Sequence, residues 1–171
     1  MSEKRTASGA AAPIPATRRD VDAIARRCRK IVMRRALVSA GAAVVPIPGI
    51  DLAVDIGMLM KMLHEINAAF GLTPAQIEAL ATRRRLTAYK AITAIGSSYV
   101  GRIVTRELAL ALLKSVARRI ATKTTVKYVP LAGQALAACI SFAAIKYIGD
   151  RHIEDCVAVV DRVIRAEARR R

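Results

Sequence analysis

The segment from Val44 to Leu52, VVPIPGIDL, constrains this chain most, because it returns about eighty residues later as Tyr128 to Leu136, YVPLAGQAL. Each copy places a Pro-x-x-Gly break between two long apolar stretches. Proline withholds a backbone donor and glycine lets the chain reverse, so the expected product is a helix, a turn and a second helix. Pro46, Pro48 and Gly49 form the first break, Pro130 and Gly133 the second. When the copies are aligned without gaps, Arg18 meets Arg102, Ala25 meets Ala109, Lys30 meets Lys114, Val32 meets Val116 and Arg34-Arg35 meets Arg118-Arg119. Identity is roughly a quarter over about forty positions, which points to a duplication of residues 18–72 in 102–150.

The flanking patterns are helical. Val21, Ile24, Cys28 and Ile31 draw one apolar stripe along a helix from Arg18 to about Val45, with Thr17 or Asp20 at its start and Arg26, Arg27, Arg29 and Lys30 on its other faces. A second helix begins at Pro48 or Gly49, places Asp51 where the helix dipole favours a carboxylate, and stops at Gly71. Thr73-Pro74-Ala75-Gln76 reads as a capping box. Ile77, Leu80 and Ala81 follow it, then Arg83-Arg84-Arg85, a helical pattern from Leu86 to Ile95, and an interruption at Gly96 to Gly101. The spacing next predicts a helix from Arg102 to about Lys127, an apolar helix from Leu131 to Ile145 closed by Lys146 and Gly149, and a last helix capped by Asp150. No stretch alternates with period two. The expected fold is therefore all-α, a bundle of six to seven helices built from two similar helix-break-helix hairpins. Residues 1–17 are expected as a disordered tail, 18–168 as one helical domain, and 169–171 as a basic tail.

Composition narrows the partners. Lys and Arg number 29 against 13 Asp and Glu, a net charge of +16, which suits an anionic membrane surface, an acidic protein or nucleic acid. Apolar residues make up 54% of the chain, yet only 4% are aromatic, so little is available for stacking nucleobases. Three dispersed cysteines, Cys28, Cys139 and Cys156, form neither a disulfide framework nor a Cys-x-x-Cys pair, and fit a reduced, cytoplasm-facing protein.

The uncharged stretches 36–50 and 128–145 are shorter than the roughly twenty residues of a spanning helix, and each contains a break. They suit a hairpin that dips into a leaflet and returns. Arg34, Arg35, Arg118, Arg119, Lys123 and Lys127 flank the breaks, where they would meet anionic headgroups. The competing expectation is that both hairpins form the buried core of a soluble bundle.

The run VPIPGIDLAVDIGMLMKMLHEINAAFGLT, followed after a variable middle by KYVPLAGQALAACISFAAIKYIG, resembles bacterial domain-of-unknown-function family 697 over residues 30 to 150. That resemblance implies a helical domain, often membrane-associated and in some members fused to a small GTPase. The chain has no Gly-x-x-x-x-Gly-Lys-Ser/Thr loop, so a GTPase would have to be a partner.

No catalytic constellation stands out, and no cofactor or metal is expected. Asp51 and Asp55 share a helix face without a third ligand, and His152 with Cys156 supplies two zinc-type ligands where a site needs more. The expectation is a non-enzymatic protein on the cytoplasmic face of a membrane, with a GTPase or other protein as partner and homo-oligomers open. The alternatives are a cytoplasmic module for an acidic partner, or a sequence-nonspecific nucleic-acid binder using Arg83, Arg84 and Arg85 with the basic face of the first helix.

Overall fold

The computed structural model describes residues 13–42, 50–97, 99–121 and 130–170, and among these every regular element is an α-helix. In chain order they are α1 (Arg18–Ala42), α2 (Ile50–Ala69), the five-residue α3 (Pro74–Glu78), α4 (Thr82–Ile95), α5 (Arg106–Ala121) and α6 (Pro130–Ala168). Thr17 starts α1 by accepting a hydrogen bond from the Asp20 amide at 3.2 Å. The capping box forms: Gln76 N donates to Thr73 Oγ1, and Thr73 N donates to Gln76 Oε1 at 3.0 Å. α2 stops where Gly71 takes a φ of +71° and turns the chain back. A side chain there would also strike the backbone of Pro13 and Ile14.

That last contact corrects part of the expected tail. Residues 1–12 lie outside the described residues, but Ile14 is buried in the core and its carbonyl accepts from Arg84 Nη2 at 3.5 Å. Two buried residues, Ile14 and Pro15, with a backbone anchor dock the segment, and so short a pair leaves no periodicity to read. The fifth helix starts at Arg106 rather than Arg102, because Gly101, at a φ of +71°, makes a turn and 103–105 form no helix.

α6 is the spine of the molecule. It contacts α1, α2, α4 and α5, and its 39 residues make a rod of about 58 Å. It runs antiparallel to α1: Arg18 pairs with Asp161, Val32 lies against Gly149, and the Ser39 and Ser141 hydroxyls meet at 2.6 Å. The expected stop at Lys146–Gly149 and the cap at Asp150 are both absent. Asp150 is instead ion-paired to Lys146 one turn earlier within the same helix. Gly149 is a point of close approach, since a Cβ built on it would lie 2.6 and 2.7 Å from the two γ-methyls of Val32. Gly133, expected as part of the second break, lies inside α6, and Pro130 is the first residue of that helix, where a missing amide is tolerated.

The buried seam of α1 is Val21, Ala25, Cys28, Val32, Ala36 and Ser39, displaced from the anticipated stripe so that Ile24 and Ile31 sit half-buried on its flank. Small residues recur along it, which lets the two backbones come close. Arg35 Nη2 donates to both Glu65 oxygens at 2.8 Å, and α2 follows α6 in the same direction, with Met62 by Gly149 and Asn67 by Cys156, so it too runs antiparallel to α1. The central layer is completed by Leu59, Met62, Leu63 and Ile66 of α2 and by Phe70 just past its end, all fully buried.

Candidate membrane-contact surface

The exposed face of α1 changes chemistry along its length. Arg26, Arg27, Arg29 and Lys30 cover its first two-thirds and are all exposed. Beyond Lys30, the outward positions become Met33, Leu37 and Val38, with relative exposures of 40%, 58% and 59%, with Arg34 among them. Helical spacing of three and four residues puts these side chains on one face. The core side of these turns is already filled by Val32, Ala36 and Ser39, so the outward apolar residues have no internal partner to turn toward.

α6 carries a matching zone where it lies beside this part of α1. From Ala138 to Ala143 its residues are half-buried, apart from the exposed Cys139, whereas Ala144, Ile145, Ile148 and Gly149 are buried. Tyr147, an aromatic with a polar tip, is 53% exposed just past that boundary. Lys114 and Arg118 are exposed on the last turns of α5, whose chain leads into the start of α6. Apolar surface bordered by cations and an amphipathic aromatic is the composition that settles at a lipid–water interface.

The anticipated contact residues separate into groups. Arg34 and Arg118 are exposed; Arg118 makes one weak bond to the Lys114 carbonyl at 3.4 Å. Arg35 is committed to Glu65, with its side chain only 20% exposed, and serves the α1–α2 contact. Arg119 belongs to α5 and Asp51 to the first turn of α2. Pro46, Pro48, Gly49, Lys123 and Lys127 lie outside the described residues. Among the described residues no helix is long and apolar enough to cross a membrane.

His152 and Cys156 do come together, in the core and not in a cleft. Cys156 Sγ lies 3.8 Å from His152 Nε2 and 3.6 Å from Asn67 Oδ1, while Asn67 Nδ2 donates to the Tyr99 carbonyl at 3.1 Å. The Tyr99 ring meets the imidazole edge-on, 6.4 Å between centroids. Burial pushes the His152 pKa down to about 4, opposed by the Leu63 backbone, so the ring is neutral. Burial likewise raises the Cys156 thiol well above its ordinary value and the Cys28 thiol to about 11, so neither is a ready nucleophile or thiolate ligand. Among the described residues no group of three or more His, Cys, Asp or Glu side chains could hold a metal ion. Asn67 and Tyr99 carried no signal in the sequence, since an asparagine in an apolar helix and a tyrosine in a loop announce no partner. Compared with protein-family models, curated proteins and solved structures, the chain matches none.

Proposed function

We propose that this protein is a non-enzymatic helical module that associates with the anionic, cytoplasmic face of a membrane. Its contact is the end where α1 leads toward the first hairpin break and α6 begins. The observation that carries the reading is the outward face of α1, which passes from arginines and lysines to Met33, Leu37 and Val38 in the direction of the break. Apolar side chains exposed at that place gain by leaving water, and each nearby Lys or Arg adds about 1 kcal/mol of attraction to an anionic leaflet. Shallow insertion fits segments too short to span.

The same reading treats the two hairpins as a duplicated unit. Matched positions keep matched environments, which supports it: Ala25 and Ala109 are both buried, as are Val32 and Val116, while Arg18 and Arg102, Lys30 and Lys114, and Arg34 and Arg118 are all exposed. A GTPase as working partner rests on the resemblance to family 697 alone. The test is fractionation of cells expressing the protein, with successive washes in high salt, alkaline carbonate and detergent. Release by detergent alone is the expected result. Recovery in the soluble fraction, or complete release by salt, would make the hairpins a buried core and remove the membrane role.

A further inference from the structure

A second charged surface lies far along α6. An open groove of about 880 Å³ runs between α4 and the last turns of α6. Ser141, near the apolar end, and Arg165, on the groove, are separated by about 36 Å of helix, so the two surfaces are distinct. Six cations line the groove: Arg83 and Lys90 from α4, then Arg162, Arg165, Arg169 and Arg170 from the end of α6 and just beyond it. None of the six has a carboxylate partner among the described residues, and no acidic side chain lines the groove. The nearby acids are spent elsewhere. Glu167 approaches Arg84 Nε at 2.8 Å and Glu78 approaches Arg85 Nη1 at 2.9 Å, both outside the groove.

The groove is not uniformly polar. Leu86 is 55% exposed on its wall among the cations, with Ala91, Ala94 and Ala166 beside it. A phosphate backbone has no use for an exposed leucine, and no aromatic ring lines the groove for a nucleobase to stack on. The lining positions also repeat as helix ridges do, at 83, 87, 90 and 94 on α4 and at 162, 166 and 169 or 170 on α6. Two such ridged helices with small residues between them form the trough into which a third helix seats its own ridge. The occupant must be acidic to meet six unpaired cations. Another copy of this chain is a poor occupant, because with 29 Lys and Arg against 13 Asp and Glu it would bring a net positive charge to the groove.

We infer that the α4–α6 groove docks an acidic amphipathic helix of another protein, whose apolar stripe covers Leu86 and whose carboxylates meet the arginines on both walls. This goes beyond membrane association and uses the other end of the molecule. The test uses the full-length protein and a fluorescently labelled peptide of roughly twenty residues, with leucines on one helical face and glutamates on the other. Two comparison probes carry the same charge: the same residues in shuffled order, and a single-stranded oligothymidylate. The amphipathic peptide is expected to bind at least about tenfold more tightly than either. Lys90→Glu with Arg165→Glu should weaken it by about tenfold or more, and Leu86→Gln should weaken it several-fold while leaving the two comparison probes unchanged. All three positions are on the surface, and an unaltered thermal melt verifies the fold of each variant. Equal binding of the three probes, or indifference to Leu86→Gln, would mean simple ion exchange and overturn the inference. Tighter binding of the oligonucleotide would assign the groove to nucleic acid and overturn it equally. The double variant should still bind anionic vesicles; loss of vesicle binding would show that the groove faces lipid, against the inference.

Discussion

His152 shows how one side chain ties the core to solution pH. It sits between Tyr99 and Cys156, is almost fully buried, and has a pKa depressed from 6.5 to about 4. The imidazole is neutral in the folded chain, while in the unfolded chain it gains a proton as pH falls through 6.5. A depressed histidine therefore contributes its stability above pH 6.5, and that contribution is lost as pH falls from 6.5 toward 4. Urea unfolding at pH 7.5 and pH 5 is expected to show a loss of about 2 kcal/mol, ahead of most carboxylate titration. His152→Gln should flatten that slope, though it lowers stability throughout; an unchanged slope would mean that the imidazole is not sealed from solvent. The sequence showed His152 and Cys156 as a pair one turn apart and left open what surrounds them. Burial in the core settles it, and the neighbours come from distant segments: the Tyr99 ring meets the imidazole, Asn67 lies against Cys156, and the Leu63 backbone opposes the shift.

Among the elements, helix existence was legible and helix termination only partly so. The capping box at Thr73 and the stop at Gly71 were readable because both act through backbone geometry local to a few residues. Gly149 was misread because glycine has two uses, and only the packed partner distinguishes them. In α6 it permits the crossing of α1, with Val32 where a side chain would be and Met62 Cε 3.1 Å from the same point. Gly149→Ala should therefore destabilise the protein by about 1–3 kcal/mol through overpacking, more than the roughly 1 kcal/mol that alanine contributes in a helix interior. Val32 cannot yield easily, since a β-branched side chain in a helix has little rotamer freedom. Gly57 provides the contrast. It lies within α2, exposed, with nothing within 4 Å of an added Cβ, so Gly57→Ala should stabilise by about 0.5–1 kcal/mol. Thermal melts of the two variants should shift in opposite directions. Two shifts of the same sign would contradict the α1–α6 crossing as described. Arg35 illustrates a limit of the same kind: the doublet Arg34-Arg35 looks like one basic flank in sequence, but a helix turns about 100° per residue, so one arginine faces outward and the other faces Glu65.

At the scale of the whole molecule, the two charged surfaces lie at different points along α6. One end of α6 lies beside exposed apolar turns mixed with Arg34, and the other end bears six unpaired cations around Leu86. The sequence leads to an expectation of basic flanks and apolar arms, yet which residues face outward depends on the α1–α6 seam. Arg162, Arg165 and Lys90 were equally hidden: scattered single cations acquire meaning only once α4 lies against α6. The polarity of this arrangement suits a molecule that rests one end on a membrane and offers the other to a protein. The most direct test of the membrane end is co-sedimentation with vesicles of phosphatidylcholine alone and with added phosphatidylserine, comparing the native chain with Leu37→Gln plus Val38→Gln. Both substitutions are exposed and keep net charge and helix propensity, so the fold should survive. The native chain is expected to bind the anionic vesicles more tightly than the neutral ones, and the double variant to bind both about tenfold more weakly or worse. Equal binding by the two proteins, or no preference for anionic lipid, would contradict a membrane contact made by the apolar end of α1.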